Sequence, residues 1–522
     1  MENQKKKNNF LTLLMQLPFK ILFSRFTLAL LALLIQALII YFCAAFFQRY
    51  LLLLFGGSAV FGFILTIYII NQPGSPSFHI SWIILILLFP ALGVFIYLFV
   101  KLQVGVHALS KRYQMLRNDM SIYLRQNEKV FNQIKKEEEH VLRYVTYMNR
   151  ISGYPIYQHT KTKYYPLGDD MFPDLIEDLR HAKDYIFLEY FIVAKGYMWN
   201  TILDILKEKV KEGVRVYFMY DGTCSFMLLP RNYPEELKAF GIHCKVFNPV
   251  VPVISTQYNN RDHRKIVVVD GKVGYTGGVN LADEYINQLE RFGHWKDNAI
   301  RIEGEAVKNF ILMFLENWFV DEKGPQDYDT FLNGVVSKRS SSYVLPFGDN
   351  PFDQYPVGQV SYLHLIQTAN HFIHIMMPYF IVDHEMLHSL CNAAMSGVEV
   401  KLLMPHIPDK TWIYYVARTF YKELISSGVE IYEYTPGFVH AKMVIADGRE
   451  AIIGSINMDY RSLYLHFEDA VYLYQDSSIL DMEKDYQNTL EMCEFITLDH
   501  LKKYPLWKRI IGRVLRVIAP LL

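Results

Sequence analysis

A histidine and a lysine two residues apart, His263 and Lys265, could together bind and attack an anionic group. The apolar run that they begin ends at Asp270, which glycine follows. The run predicts a strand, the Asp-Gly pair predicts a tight turn, and residues 273–276 predict the returning strand. Because residues two apart in a strand share a face, the imidazole and the ammonium can meet one anion. The loop after the second strand adds Gly277, Gly278 and Asn280.

The same pattern recurs nearer the C-terminus with identical offsets, which are two from histidine to lysine, seven to aspartate and seventeen to asparagine. Upstream, Glu189-Tyr190-Phe191-Ile192-Val193 is echoed by Pro378-Tyr379-Phe380-Ile381-Val382, in the same order along the chain. A duplicated motif inside a longer duplicated segment predicts two copies of one lobe. The members of the second copy are His440, Lys442, Asp447, Ser455 and Asn457.

A phosphodiester is the anion whose chemistry requires these groups. Its charged oxygens repel nucleophiles, so an enzyme must neutralise them, supply an attacking atom and protonate the departing alkoxide. One histidine can attack phosphorus and form a phosphohistidine, while the other protonates the leaving oxygen and then deprotonates the acceptor. Two lysines can replace the charge of a metal ion, so we expect no metal and no other cofactor. The predicted ligands of the phosphoryl oxygens are Lys265, Lys442, Asn280 and Asn457.

The motif H-x-K-x4-D followed by G-[GS]-x-N, present twice, resembles the phospholipase D superfamily. Within it, the chain is similar to bacterial cardiolipin synthases through residues 259–265, 292–297 and 301–304, Gly348-Asp349 and an apolar N-terminus. The resemblance implies an α/β fold of two tandem phospholipase D-like α/β/α sandwich lobes related by a pseudo-twofold axis. It also implies transfer of a phosphatidyl group from one phosphatidylglycerol to another, with release of glycerol.

The resemblance implies roles for individual residues. His263 is expected to be the nucleophile and His440 the general acid and base. Asp270 and Asp447 belong to the implied catalytic set. Because they precede glycine at turns, we expect them to have a structural or supporting role rather than to contact the substrate. The implied catalytic set is His263, Lys265, Asp270, His440, Lys442 and Asp447, and the implied phosphate-binding set is Asn280, Asn457, Gly277, Gly278 and Ser455.

Two acids are expected to orient the imidazoles. Glu468 follows His440 by 28 residues and resembles the acid that bonds the second imidazole nitrogen in the family. Asp297 follows His263 by 34 residues and is expected to do the same there. The first copy has Gly278 where the second has Ser455, so one hydroxyl donor is missing. Backbone N–H groups of the first copy are expected to compensate, because glycine allows close approach to an anion.

The composition argues against a nucleic-acid substrate. The 522 residues contain 53 Lys plus Arg and 53 Asp plus Glu, so no global basic field exists to attract nucleic acid. A chain of this length can hold more than one domain. The cysteines are scattered without C-x-x-C spacing, which predicts reduced thiols and no zinc site.

Three uncharged apolar runs, at 26–47, 50–70 and 81–100, lie in the first hundred residues. At about 1.5 Å per residue each can cross a hydrocarbon core of about 30 Å, so they predict N-terminal transmembrane helices. No small-residue cleavage site separates them, which argues against a signal peptide. Basic residues flank both ends of the region, and three full crossings cannot place both ends in the cytosol. Either one run is re-entrant or interfacial, or the catalytic part lies outside. We favour a multi-pass protein of the bacterial cell membrane with cytosolic lobes.

Four segments are predicted along the chain. They are a membrane anchor at 1–105, a juxtamembrane helical linker at 106–150, a first lobe at 151–335 and a second lobe at 336–522. From residue 164 onward, short apolar strands alternate with amphipathic helices, which predicts α/β structure in each lobe. The basic and apolar stretch at 506–518 fits an interfacial helix on anionic lipid, or alternatively a core helix with a basic edge.

The expected partners are phosphatidylglycerol and the bilayer. A close alternative is a membrane phospholipase D that uses water, or a phosphatidyltransferase with another acceptor alcohol. A nucleic-acid phosphodiesterase is more distant, because the charge balance is neutral. A catalytically inactive membrane scaffold is the third alternative, and the presence of both His-Lys pairs and both asparagines argues against it.

Overall fold

The computed structural model describes residues 34–39, 41–42, 48–101, 104–249 and 259–521. The chain divides into a first unit, mainly residues up to 104, and a second unit that begins at residue 105 and contains both large sheets. The helices are α1 (Gln48–Ile70), α2 (Pro76–Leu88), α3 (Pro90–Lys101), α4 (Val104–Met120), α5 (Glu128–Ile134), α6 (Glu139–Ser152), α7 (Gly168–His181), α8 (Tyr197–Lys211), α9 (Gly222–Met227), α10 (Tyr233–Ala239), α11 (Val307–Trp318), α12 (Asp329–Leu332), α13 (Val357–Thr368), α14 (His384–Met395), α15 (Thr411–Ser426), α16 (Tyr460–Tyr464), α17 (Ser478–Leu490), α18 (Leu498–Lys503) and α19 (Leu506–Ile518). The strands are β1 (Thr160–Tyr165), β2 (Tyr185–Tyr190), β3 (Arg215–Asp221), β4 (His243–Phe247), β5 (Lys265–Val269), β6 (Val273–Gly277), β7 (His294–Lys296), β8 (Ala299–Gly304), β9 (Tyr343–Asp349), β10 (Phe372–Met376), β11 (Phe380–Ile381), β12 (Glu399–Pro405), β13 (Glu430–Tyr434), β14 (Gly437–Val439), β15 (Met443–Ala446), β16 (Glu450–Gly454), β17 (Met458–Asp459), β18 (Glu468–Tyr474) and β19 (Cys493–Ile496).

The first unit consists of the apolar helices α1 to α3. They pack through a small core formed by Leu65, Ile69, Ile86 and Tyr97. Gly93 of α3 lies so close to α2 that a Cβ would stand 2.7 Å from the Cα of Ile86. Many other large apolar side chains of these helices are exposed. A small core with a large exposed apolar surface is typical of helices that contact lipid.

The three predicted membrane runs have different outcomes. The run at 26–47 lies largely outside the described residues. The run at 81–100 is not one helix, because α2 ends at Leu88 and α3 begins at Pro90. Proline has no N–H to donate, and its ring clashes with the preceding turn. The run at 50–70 lies within the single helix α1. Among the described residues one helical stretch, Pro90–Met120, is long and apolar enough to cross a membrane, whereas the fully described part of α1, Ala59–Ile70, and Pro76–Leu88 are shorter.

Two sheets of the same topology form the centre of the second unit. The first has the strand order β1-β8-β6-β5-β2-β3-β4, and the second has the order β19-β13-β12-β10-β15-β16-β18-β9. In each, three parallel strands are followed by antiparallel strands, and the parallel sets are β2, β3, β4 and β10, β12, β13. Apart from the added edge strand β19, the two orders correspond strand for strand. The duplication in the sequence is therefore a duplication of sheet topology.

Each His-Lys motif lies at the start of a hairpin. β5 pairs antiparallel with β6 around Asp270, and β15 pairs with β16 around Asp447. Both aspartates have a left-handed φ, of 53° and 50°, which Asp adopts more readily than most residues. The first strand begins at Lys265 rather than at His263, because the His263 backbone N–H donates to the carbonyl of Phe467 at 2.8 Å.

The two sheets pack together through β6 and β8 on one side and β16 and β18 on the other. Two short backbone pairings also cross between them. β7 runs parallel to β14, and Asp262 forms an isolated bridge with Phe467. The crossings come immediately before His440 and His263 in the chain, so they fix where each histidine lies relative to the opposite sheet.

The helices of the predicted linker at 106–150 pack on the second unit instead of forming a free connection. Arg117 of α4 pairs with Glu316 at 2.8 Å and also with Asp353. Tyr144 of α6 stacks on His364 with ring centroids 4.2 Å apart. The carboxylates of both Arg117 partners are buried, so removal of α4 would leave uncompensated buried charge.

The C-terminal helix α19 exposes its apolar face. Leu506, Trp507, Ile510 and Val514 are 67%, 56%, 52% and 61% exposed. Gly512, on the opposite face, contacts α15 so closely that a Cβ would stand 2.3 Å from the carbonyl oxygen of Tyr415. The alternative interpretation of this segment as a core helix is wrong, since Gly512 is its only buried residue.

Substitution Gly437→Ala should weaken the contact between the two sheets. A Cβ at this position would lie 2.2 Å from the carbonyl oxygen of His294, so β14 could not remain paired with β7. We expect a destabilisation of about 2–4 kcal/mol, seen as a lower melting temperature in detergent. Gly397→Ala is the matched control. Its φ of +96° costs about 1 kcal/mol, but no atom lies within 4 Å of the added Cβ. Equal losses in the two variants would contradict this account.

Candidate active site

The structure brings the histidines and lysines of both copies into one site. His263 and His440 are each only 6% exposed. After burial, nearby charge is the main influence on the pKa values of His440 and Lys442, and Lys265 of the other copy contributes to lowering both. Charges interact at this strength only over short distances. The two motifs therefore form two halves of a single site.

Each imidazole is held by a carboxylate from the other lobe. Nδ1 of His263 lies 2.8 Å from Glu468 Oε2, and Nδ1 of His440 lies 2.6 Å from Asp297 Oδ2. The expected pairing, Glu468 with His440 and Asp297 with His263, is therefore wrong. The cause is the backbone: β7 alongside β14 carries Asp297 to His440, and the pairing of Asp262 with Phe467 carries Glu468 to His263.

The residue after each acid, Asn298 or Asp469, also bonds to the opposite lobe. Asn298 Oδ1 accepts a hydrogen bond from the backbone N–H of Lys442 at 3.4 Å. Asp469 Oδ1 accepts one from the backbone N–H of Lys265 at 3.2 Å, and its carboxylate also bonds Thr276. Burial raises the pKa of Asp469 to about 6. Each lobe thus holds both the imidazole and the lysine backbone of the other.

Burial keeps both imidazoles neutral at pH 7. It lowers the pKa of His263 to about 3 and that of His440 to about 4, where Lys442 adds to the effect. Burial alone would raise the pKa of Glu468, but its contact with His263 holds that pKa well below the usual range. A neutral imidazole that donates its Nδ1 proton to a carboxylate leaves a lone pair on Nε2. Both histidines are therefore in the form that a nucleophile requires.

Lys265 and Lys442 form no ion pair with a carboxylate in the described parts of the chain. Nζ of Lys265 donates to the carbonyl of His263 at 2.5 Å, and Nζ of Lys442 donates to the carbonyl of His440. Burial lowers the pKa values of these lysines to about 8 and about 7. An anion bound between them would raise both values again. Within the described residues neither ammonium is paired directly with a carboxylate, so the site can accept a bound anion.

The asparagines at the predicted phosphate-binding positions are buried with one amide atom uncommitted. Oδ1 of Asn280 accepts from the backbone N–H of Ile192 at 3.0 Å, and Nδ2 has no partner among the described residues. Asn457 donates to the hydroxyl of Ser462 at 3.2 Å, and Oδ1 has no partner in the same set. An unpaired buried amide atom is a candidate ligand contact.

Gly277, Gly278 and Ser455 pack around the acids. The N–H of Gly278 donates to the carbonyl of Asn298 at 2.9 Å, and a Cβ there would stand 1.9 Å from Asp297 Oδ1. A Cβ on Gly277 would stand 2.3 Å from the Asn298 carbonyl oxygen. Ser455 Oγ donates to Glu468. The expectation that Gly278 and Ser455 present donors to a phosphate is therefore wrong, since their donors are already used.

Asp270 and Asp447 hold the hairpin turns, in agreement with the structural role expected of them. Each carboxylate accepts hydrogen bonds from three successive backbone N–H groups just before a parallel strand. This geometry ties the turn of each hairpin to the start of the neighbouring strand, β2 or β10. The donors are Lys183, Asp184 and Tyr185 for Asp270, and Asn370, His371 and Phe372 for Asp447.

Two residues of the site were not identified from the sequence. Arg264 is fully buried and donates to the carbonyl oxygens of Glu468 at 3.2 Å and Met313 at 2.9 Å. His466 lies beside His263, with ring centroids 5.6 Å apart. Alignment of the two copies could have found His466, because it stands two residues before Glu468 as Trp295 stands two before Asp297.

Asp447→Ala should lower stability more than it lowers the catalytic rate. Three backbone N–H groups lose their acceptor, so we expect a cost of about 1–3 kcal/mol and a lower melting temperature in detergent. The rate per folded molecule should change little at temperatures where the variant stays folded. Asp297→Asn is the contrasting variant, with a large loss of rate and a smaller loss of stability. An Asp447→Ala variant that is fully stable but inactive would show that this residue has a catalytic role.

Known proteins resemble this chain in sequence and in fold. The profile of the family described as cardiolipin synthase, PLD-like domain, matches residues 175–317 and 362–490. A cardiolipin synthase of Alkalihalophilus pseudofirmus is 34% identical over 453 residues, which are 86% of this chain and 89% of the relative. An uncharacterized protein of Streptococcus mutans is 41% identical over 456 residues, 87% of this chain and 99% of the relative. The crystal structure of a phosphatidylserine synthase of Haemophilus influenzae has a similar fold, with a TM-score of 0.55 at 15% identity, and the match covers 73% of this chain and 99% of that one. Because the profile and the relatives cover both motifs and most of the chain, the protein belongs to the cardiolipin synthase family with the PLD-like domain.

Proposed function

We propose that the protein is a membrane-anchored phosphatidyltransferase that makes cardiolipin from two phosphatidylglycerol molecules and releases glycerol. The observation that carries the chemistry is the pair of buried lysines without an anionic partner, beside two neutral imidazoles. Such a site can bind one phosphodiester anion and attack its phosphorus. The substrates come from the family, whose relatives of 32–36% identity include several named cardiolipin synthases.

In the proposed reaction, Nε2 of His263 attacks phosphorus and the bond from phosphorus to the glycerol oxygen breaks. His440 protonates the departing glycerol oxygen. A hydroxyl of the second phosphatidylglycerol then gives its proton to His440 and attacks the phosphohistidine, which restores His263. His440 must be protonated for the first step. The bound phosphodiester anion supports this, because a negative charge raises the pKa of a neighbouring imidazole.

The remaining groups of the site bind and orient. The ammonium groups of Lys265 and Lys442, with the uncommitted amide of Asn280, would hold the phosphoryl oxygens. Glu468 and Asp297 would keep the proton on Nδ1 of each imidazole, so that Nε2 faces the phosphorus. Fixed donors in a water-poor site stabilise charge that develops on the oxygens during transfer.

We also propose that the chain is a multi-pass protein of the bacterial cell membrane with cytosolic lobes at 151–335 and 336–522. The strands of the first sheet lie within 160–304 and those of the second within 343–496, which supports a boundary between them. The cysteines in the described residues are free thiols, as expected of a reducing compartment. The apolar helices of the first unit support an anchor at 1–105.

Incubation of the purified protein with labelled phosphatidylglycerol in neutral detergent tests the proposed activity. We expect a four-chain lipid and free glycerol in equal amounts, resolved by lipid chromatography. Phosphatidic acid as the main product would identify a phospholipase D that uses water. A different phosphatidyl ester formed on addition of another alcohol would identify a broader transferase. No turnover of the lipid would overturn the proposal.

Covalent labelling with a phosphatidyl donor tests the roles of the histidines. We expect His440→Asn to accumulate an acid-labile, base-stable adduct, because a nucleophile remains while resolution is slow. His263→Asn should not be labelled. The crossed pairs predict that Glu468→Gln resembles His263→Asn, with slow labelling, and that Asp297→Asn resembles His440→Asn. Label retained in His263→Asn and lost in His440→Asn would show that the roles are reversed.

The exposed face of α19 fits an anionic bilayer surface. Its apolar residues, which include Trp507 and Ile510, lie beside the basic side chains of Lys508, Arg509 and Arg513. An amphipathic helix of this kind lies in the headgroup layer, where the apolar face is buried and the cations meet anionic lipid. We propose that α19 holds the catalytic unit at the surface from which phosphatidylglycerol enters.

The double substitution Ile510→Glu and Val514→Glu should separate activity on vesicles from activity in micelles. We expect the rate on phosphatidylglycerol vesicles to fall about tenfold, because two carboxylates enter the apolar face, and the rate in mixed micelles to stay unchanged. Leu480→Glu is the control, since Leu480 is 68% exposed on α17. If Leu480→Glu lowers the vesicle rate as much as the double substitution does, a role of α19 at the membrane is contradicted. The same holds if the double substitution lowers the rates on vesicles and in micelles equally.

A further inference from the structure

Glu468 stands between two imidazoles, and only one of its oxygens is satisfied. Oε2 lies 2.8 Å from Nδ1 of His263. Oε1 faces Nδ1 of His466 at 3.6 Å, which is too long for a hydrogen bond. Among the described residues, neither Oε1 nor either ring nitrogen of His466 has a hydrogen-bond partner. His466 is 8% exposed and Glu468 is fully buried, so the unpaired atoms are shielded from bulk water.

Unpaired buried polar atoms in a native protein need an explanation, and a bound ion that bridges them is one. One ligand atom from each of His263, His466 and Glu468 lies within 4.8 Å of the other two. Two imidazoles and one carboxylate form a ligand set that zinc uses in proteins, with metal-ligand distances of about 2.0–2.2 Å. Mg²⁺ and Ca²⁺ prefer oxygen ligands and would not select this set.

The corresponding place in the other half of the site cannot bind a metal in this way. Trp295 packs against His440 with ring centroids 5.5 Å apart, much as His466 packs against His263 at 5.6 Å. The indole nitrogen of a tryptophan carries a hydrogen and offers no lone pair in the ring plane. The cluster therefore belongs only to the half of the site that contains the proposed nucleophile.

We propose that His263, His466 and Glu468 bind a divalent transition-metal ion of the zinc type, and that the bound ion inhibits the enzyme. A neutral imidazole has one lone pair. If zinc takes it on Nε2, the attacking atom is occupied; if zinc takes Nδ1, the proton moves to Nε2, which then cannot attack phosphorus. The inhibition follows for either nitrogen. This inference rests on the proposed function, in which His263 attacks the phosphodiester.

The test uses the full chain in neutral detergent after removal of metal by chelator. We expect the chelated protein to be active, Zn²⁺ to bind at one ion per chain by equilibrium dialysis, and the rate to fall as that site fills. EDTA should restore the rate, and Mg²⁺ at the same concentrations should not inhibit. In His466→Asn both the zinc affinity and the zinc sensitivity should fall at least tenfold, with the zinc-free rate of the variant as its own reference.

A matched control removes an exposed histidine pair that could bind zinc adventitiously. His384 and His388 lie one turn apart on α14, with ring centroids 5.5 Å apart, and both are exposed. His384→Asn should leave the zinc inhibition unchanged. If His384→Asn abolishes the inhibition, or if His466→Asn retains it in full, the proposed site is wrong.

Two further readouts keep the test independent of how His466→Asn folds. Co²⁺ bound to the unsubstituted protein should show the visible absorption of a four-coordinate ion with nitrogen and oxygen ligands, and absence of binding by Zn²⁺ and Co²⁺ would overturn the proposal. Zinc should also block covalent labelling of His263 by a phosphatidyl donor.

Failure of the zinc-free protein to make cardiolipin would overturn the proposed function alone, since the dialysis and absorption experiments measure metal binding at the site without turnover.

Discussion

The two crossed carboxylate-imidazole pairs are the constraint on which the rest of this structure depends. Each histidine stands on its own hairpin but takes its orienting acid from the other lobe, at 2.8 Å for His263 and 2.6 Å for His440. A single lobe would present an imidazole with no acid to hold its tautomer. The sheets must therefore pack face to face, with β7 beside β14, before either half of the site exists. Duplication here produces one site from two incomplete halves.

Buried charge maintains this packing. Arg264, the residue after His263, reaches the carbonyl of Glu468 and the carboxylate of Glu316, and Glu316 in turn pairs with Arg117 of α4. Breaking any such buried pair leaves a charge without compensation, which costs far more than a surface ion pair would contribute. The lysines of the site differ, because among the described residues they form no direct ion pair and burial lowers their pKa values. The arginines of the scaffold are paired directly with carboxylates, whereas the lysines of the site are available to bind an anion.

The sequence predicted local features and failed on those set by long-range pairing. Short apolar runs and the Asp-Gly turns predicted both hairpins, and equal offsets predicted the repeat. The predicted pairing of the acids with the histidines was wrong, because separations of 28 and 34 residues do not reveal which strand lies beside which. The backbone pairings of Asp262 with Phe467 and of β7 with β14 do reveal it. The break at Pro90 was missed because the uncharged run at 81–100 reads as continuous when hydropathy alone is considered. The predicted roles of Gly278 and Ser455 also failed on long-range contacts. The N–H of Gly278 already donates to a backbone carbonyl, and the hydroxyl of Ser455 already donates to Glu468.

The two halves of the site are symmetric in topology but not in chemistry, and this difference bears on how one phosphodiester can be handled by two histidines. Beside His263 stand Glu468, the hydroxyl of Ser455 and the imidazole of His466; beside His440 stand Asp297, the backbone of Gly278 and the indole of Trp295. Two identical halves would have equal tendencies to attack and to protonate. Burial lowers both pKa values, but the next largest influence differs: Glu468 raises the pKa of His263, whereas Lys442 lowers that of His440. The polar and ionisable surroundings lie on the side of His263, and the aromatic wall lies on the side of His440. The repeat therefore provides the geometry of the site, and the residues that depart from it make its two halves chemically different.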